Sequence, residues 1–217
     1  MPDFSIEDFF LVLQNYNLDI WPVQIFAYVL IALVLYFLLK KSKYSGIIIL
    51  AVLSLFWLMN GIIFGFIYWS SSHIFGYVFG FFCTIQGILF LYSIMKSDIR
   101  VGSPDRIYQF IGILFILYAI LGYQVLGYYL GHVYPKFFPA GLVPCPTTIL
   151  TFGIFLMLNS RISITYFIIP LIISLGGFLA AYNGIYEDMG LILTGIIGTI
   201  LIIHRNTQIE GKKIQTT

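Results

Sequence analysis

Five side chains of the types that bind metals or carry protons are His73, His132, Cys145, Glu187 and Asp188. Imidazole, thiolate and carboxylate are the donors of zinc and copper sites. No tight ligand pair such as His-x-x-x-His occurs among them. The expectation is therefore no cofactor, with a soft metal such as zinc or copper at His73, His132, Cys145 and Glu187 as the alternative. Cys145 stands between Pro144 and Pro146, just ahead of an apolar run, with Thr147 and Thr148 beside it. A thiol at a helix N-terminus gains thiolate character. That would suit a soft metal, a redox thiol or a half-helix end that receives an anionic substrate group. Asp188 also reads as a favourable acid at a helix N-terminus. Cys83, in an apolar run, reads as a packing residue.

A second set is neutral: Gln24, Asn60, Gln86 and Gln124, with hydroxyls around them. Gln124, Tyr128 and His132 recur at spacing four, and Asn60 and Tyr68 at spacing eight, so each group shares a helix face. Singly, each would bond one helix to another. Together they predict an outward-facing polar cavity lined by Gln24, Asn60, Tyr68, Gln86, Gln124, Tyr128, His132, Tyr134, Cys145, Thr147 and Thr148.

The elements that must hold these groups follow from composition. The chain has 217 residues, of which 60% are hydrophobic and only 9% charged, with a formal net charge of +2. Twenty charges cannot solvate the surface of a soluble domain of this length, where about a quarter of residues are charged. A disordered chain and a nucleic-acid binder are excluded on the same grounds, the first by apolarity and the second by the lack of a basic face. The lipid bilayer is the expected partner. The acidic opening around Asp3, Glu7 and Asp8 does not read as a signal peptide.

A membrane helix takes about 20 apolar residues to cross about 30 Å of hydrocarbon. Seven candidate spans cover about 20–39, 44–69, 74–95, 107–131, 147–159, 162–182 and 189–203, with no soluble domain between them. The expected fold is an all-α bundle of seven transmembrane helices. A short amphipathic helix over 4–15 precedes it, with Ser5 and Asp8 spaced as a capping box and an interfacial position expected. Lys40, Lys41, Lys43, Lys96, Arg100, Arg106, Arg161, Arg205, Lys212 and Lys213 then share one side, and Lys136 alone takes the other. Bases favour the cytoplasmic side. This predicts a multi-pass protein of the cytoplasmic membrane, N-terminus outside and C-terminus inside. No Asp, Glu, Lys or Arg falls deep within a span, which argues against a carboxylate-relay pump, a voltage sensor or a retinal protein. Small residues four apart, such as Gly61 with Gly65, Gly76 with Gly80 and Gly176 with Ala180, allow close helix contact within the chain or in a homo-oligomer.

Residues 131–148 break the pattern, with Pro135, Pro139, Pro144 and Pro146 in one stretch. Span five, about 13 residues long, is too short to cross alone. The segment either dips into the bundle or lies on its surface. Over nearly its whole length the chain resembles the prokaryotic membrane proteins grouped as domain of unknown function 6064. The resemblance rests on Phe9-Phe10, Tyr16-Asn17, Ile20-Trp21-Pro22-Val23-Gln24, Gly131-His132-Val133-Tyr134-Pro135, Pro144-Cys145-Pro146-Thr147-Thr148-Ile149, Thr151-Phe152-Gly153 and Asp188-Met189-Gly190-Leu191. It implies a membrane protein and no particular activity.

Three functions fit these features. The first is a small transporter or channel for a small solute or ion. The second is a membrane redox or metal protein using Cys145 and His132 at the outer face. The third is an assembly subunit docking through glycine faces. An enzyme is the less expected class, and no nucleic acid is expected.

Overall fold

The computed structural model describes residues 5–96, 101, 102 and 104–214, with side chains described as far as residue 211. Asp3, Asp98 and Arg100, and the side chains of Lys212 and Lys213, lie outside the described residues. The protein is all-α. Eight helices are present among the described residues: α1 (Ile6–Asp19), α2 (Trp21–Lys40), α3 (Ser45–Ser71), α4 (Phe75–Lys96), α5 (Arg106–Tyr129), α6 (Pro144–Met157), α7 (Ile168–Tyr182) and α8 (Asp188–Ile214). Five of them, α2, α3, α4, α5 and α8, are long and apolar enough to cross a membrane. Their outward faces carry large apolar side chains such as Phe26, Phe81, Leu121 and Ile200. Continuous apolar surface of this kind suits lipid rather than water.

The remaining apolar helices are shorter. α6 has 14 residues and α7 has 15. At 1.5 Å per residue α6 is about 21 Å long. It is the centre of the molecule: it packs against α3, α5, α7 and α8, and every residue from Pro144 to Leu156 except Cys145 is buried. A helix apolar on all sides is a core element. α6 begins at Pro144, three residues before the expected start, because Pro144 and Pro146 suit a first turn whose N–H groups need no helical partner.

Pairs of small residues set the closest helix contacts. A Cβ built on Gly65 would lie 2.5 Å from the Gly80 Cα, and one on Gly61 would lie 2.8 Å from the Gly80 carbonyl oxygen. The two glycine pairs are thus spent on one seam within the chain, between α3 and α4.

Two helices contain wide turns. α3 is π-helical over Met59–Tyr68, and α5 over Tyr118–Gly122. π-turns often occur where a helix serves a functional site.

α1 is longer and more deeply packed than the helix expected over 4–15. Ser5 caps it as expected, its hydroxyl accepting from the Asp8 N–H at 3.4 Å. However, Leu13, Tyr16 and Asn17 are fully buried. α1 runs on to Asp19 and packs as a lid across one end of the bundle, because its inner face carries aromatic and hydrogen-bonding groups that residues 135–142 can use.

Arg205 also departs from expectation. It belongs to the basic group past span seven in the sequence reading, yet its side chain is buried. α8 does not stop near residue 203; it continues to Ile214. Arg205 Nη1 donates to the carbonyls of Phe155 at 2.7 Å and Leu158 at 2.8 Å. These are the open acceptors at the C-terminal end of α6, which a cation satisfies best.

Candidate functional site

The proline-rich segment forms the roof of the site. Phe138, Ala140, Leu142 and Val143 are buried, so the segment dips into the bundle. Backbone at such depth must have its polar groups met by protein. α1 supplies several partners. The Tyr16 hydroxyl donates to the Leu142 carbonyl at 2.8 Å. Burial pushes the Tyr16 hydroxyl up from its ordinary pKa, so it remains a donor. Asn17 Nδ2 donates to the Pro135 carbonyl at 2.7 Å and the Phe137 carbonyl at 2.8 Å. Gln24 Nε2 donates to Asn17 Oδ1 at 3.1 Å, which fixes the amide's orientation. From α5, Gln124 Nε2 donates to the Phe138 carbonyl.

Beneath this roof lie two acids at the start of α8. Glu187 and Asp188 are 0% and 1% exposed. Glu187 Oε1 is 2.5 Å from His132 Nδ1. The other carboxylate oxygen, Oε2, is buried without a hydrogen-bond partner. Asp188 Oδ1 accepts from the Tyr123 hydroxyl at 2.5 Å, and Oδ2 from the Cys145 thiol at 3.4 Å. The Tyr118 hydroxyl donates to the Glu187 carbonyl at 2.7 Å. The His132 ring lies against Phe10 of α1, with ring centres 4.6 Å apart. Gly127 makes room for the Glu187 carboxylate: a Cβ there would sit 2.9 Å from Oε1.

The expected reactive thiolate meets an opposing arrangement. Cys145 does stand in the first turn of α6, but its thiol donates to a carboxylate. A thiolate in that position would face negative charge across 3.4 Å. Like charges repel strongly where water is scarce.

A third group of side chains joins the roof to α3. Asn60 Nδ2 donates to the Phe56 carbonyl at 2.7 Å and the Gly141 carbonyl at 3.1 Å. Thr147 Oγ1 accepts from the Gly141 N–H at 3.0 Å and donates to the Val143 carbonyl at 2.6 Å. Trp57 Nε1 donates to Thr151 Oγ1 at 3.0 Å. Asn60 stands in the first turn of the π-helical segment of α3.

The structure therefore brings together Gln24, Asn60, Gln124, His132, Cys145, Thr147 and Glu187 around one irregular segment. Thr148 is buried beside Thr147, its hydroxyl without a partner. Other expected residues lie elsewhere. Tyr128 is 69% exposed on the outside of α5, and Tyr134 is 53% exposed. Tyr68 turns to α1 and donates to Asp19 Oδ2 at 2.8 Å. Gln86 donates to the Tyr166 carbonyl at 3.0 Å. His73 sits at the α3–α4 turn, where its Nδ1 accepts from the Phe75 N–H at 3.2 Å. Among the described residues no three His, Cys, Asp or Glu side chains are arranged as a metal would need.

Tyr16, Asn17, Tyr118 and Tyr123 are the site residues that helical spacing missed. Tyr118 and Tyr123 are five apart, and the Tyr123 N–H bonds to the Tyr118 carbonyl across the π-turn. That turn lets both tyrosines reach the acids, Tyr118 at the Glu187 carbonyl and Tyr123 at Asp188. Tyr16-Asn17 was visible only as a part of the family resemblance.

Fold and site together describe an all-helical protein with membrane-length helices and a buried acidic group under a partly irregular roof. The chain belongs to a family of unknown function, DUF6064, whose model matches residues 6–213. Comparison with curated proteins finds no match, nor does comparison with solved structures.

Proposed function

We propose that this is a seven-span membrane protein, N-terminus outside and C-terminus inside, that acts as a small transporter or channel. The five long helices, with the enclosed α6 and the short apolar α7 as two further crossings, support the count. The sidedness of the bases supports the direction. The solute we assign is a proton or a small cation that passes Glu187 Oε2, with His132 on the other carboxylate oxygen. One observation carries this: Glu187 Oε2 is a buried carboxylate oxygen without a donor. Such an atom is costly unless a proton or a cation reaches it. Ionisable groups at membrane depth are functional candidates by default. The sequence argument against a carboxylate relay loses its ground here, because residues on either side of a span boundary are enclosed by the folded bundle. Entry from the outer side requires Phe10 and the α1 lid to move off His132.

The test uses full-length protein in liposomes loaded with a pH-sensitive dye, with a potential set by potassium and valinomycin. Wild type should admit protons, and Glu187→Gln should not. In parallel, sodium and potassium fluxes identify a cation other than the proton. Fluxes equal to those of protein-free liposomes for all three ions would overturn the reading. Direction is tested separately. Ser72→Cys should react with an impermeant maleimide on intact cells, and Ser42→Cys only after permeabilisation. The reverse pattern would overturn the orientation.

A further inference from the structure

The opposite end of the bundle holds a cleft of about 990 Å³ between the end of α4, residues 159–167 and the last turns of α8. Its lining combines three chemistries. Leu89, Phe167 and Ile203 are apolar; Ser160, Ser163 and Thr165 carry hydroxyls; Lys96, Arg161 and Glu210 are charged. Lys96 Nζ is held 4.7 Å from the Tyr92 ring centre, also in the lining. Arg161 Nη1 is 2.5 Å from Glu210 Oε1.

Two independent features point to an anion. Ser160 is 9% exposed and lines the cleft, and its buried hydroxyl lacks a partner. Directly behind it is the buried guanidinium of Arg205, whose Nη2 donates to the Ser160 carbonyl at 3.4 Å. The hydrogen-bonding partners of Arg205 are carbonyl oxygens: Phe155, Leu156, Leu158 and Ser160. These dipoles satisfy Nη1 and Nη2, while the buried Nε has no partner, and no carboxylate pairs with the guanidinium among the described residues. Lys96 and Arg161 line the cleft, Arg205 lies behind Ser160, and Glu210 is the one acid among the described lining residues. The apolar lining beside them is suited to acyl chains and not to a fully hydrated ion.

We propose that this cleft binds an anionic phospholipid, with its phosphate at Lys96, Arg161 and the Ser160 hydroxyl and its chains against Leu89 and Ile203. Basic pockets between membrane helices hold anionic headgroups in this way. Glu210 competes with the phosphate for Arg161. The site is independent of the transport reading, and its failure would leave that reading untouched.

The experiment takes the full chain, stripped of lipid in detergent. It adds dioleoylphosphatidylglycerol, dioleoylphosphatidylcholine or inorganic phosphate. Native mass spectrometry counts lipid adducts, and thermal unfolding reads protection. Phosphatidylglycerol should bind more tightly than phosphatidylcholine. The double variant Lys96→Gln with Arg161→Gln should weaken it about twenty-fivefold, at about fivefold per cation. Glu210→Gln should strengthen it, which keeps the test informative if the double variant does not fold. Equal binding of the two lipids, or no effect of Glu210→Gln, would overturn the proposal. Protection by inorganic phosphate equal to that by phosphatidylglycerol would also overturn it and identify a soluble phosphate ligand instead.

Discussion

Asp188 and Arg205, seventeen residues apart on α8, address opposite ends of α6. Asp188 accepts from Cys145 in the first turn of α6, and Arg205 donates to the carbonyls of Phe155 and Leu158 at its end. Seventeen residues of helix rise about 25 Å, close to the length of α6 plus its last open carbonyls. α6 is buried on every side, so water cannot complement its dipole. One neighbouring helix does so, with an acid at the positive end and a base at the negative end.

Arg205→Met should therefore destabilise the protein. It preserves much of the side-chain volume, removes the Arg205 donor from the buried Leu158 carbonyl and leaves the Phe155 carbonyl only the Leu158 N–H at 3.3 Å. The expected loss is roughly 2–3 kcal/mol, with Arg205→Lys intermediate. Thermal unfolding in a fixed detergent measures it. Unchanged stability would mean that these carbonyls find water.

Cys145 should react slowly with maleimide in the wild type, because the reactive thiolate would face Asp188 across 3.4 Å. Asp188→Asn removes the charge and keeps an acceptor, so labelling at a given pH should accelerate several-fold. In both proteins the rate should rise with pH, as the thiolate is the nucleophile. Equal rates for the two proteins would show that access, not charge, limits the reaction.

Asn17→Ala should loosen the roof. It removes donors from the Pro135 and Phe137 carbonyls, which flank the exposed Lys136. Limited trypsin digestion should then cut after Lys136 several times faster, with cleavage elsewhere unchanged. This follows because proteases cut segments that open locally.

Gly65→Ala should separate α3 from α4. The new Cβ would fall 2.5 Å from the Gly80 Cα, an atom that no rotamer change can move. Overpacking of this kind costs about 1–3 kcal/mol. Gly176→Ala, where no atom outside the local helix lies within 4 Å, should leave stability undiminished or raise it by up to about 1 kcal/mol, and thermal unfolding compares the two.

Much of the architecture was legible because membrane-length apolar runs and turn residues are local signals. Pro22 near the start of α2, Ser5 at the cap of α1 and the prolines before α6 each act on their own few residues. The site was legible only in part. Asn60, Gln124, His132, Cys145 and Thr147 were found because polar side chains are conspicuous in apolar runs. Tyr123 carries no polar signal at spacing four from Gln124, and Tyr128, which does, lies on the outer face of α5. Arg205 was placed among the solvated bases because no local feature distinguishes it from Lys212.

By itself the sequence determined the all-α class and the main apolar helices, since each depends on composition within one segment. Tertiary structure alone decided which charges are buried. Glu187, Asp188 and Arg205 sit near the ends of apolar runs, where a single chain would leave them wet. They are enclosed because α6 occupies the centre and its two ends need partners, and α8 runs alongside and presents them.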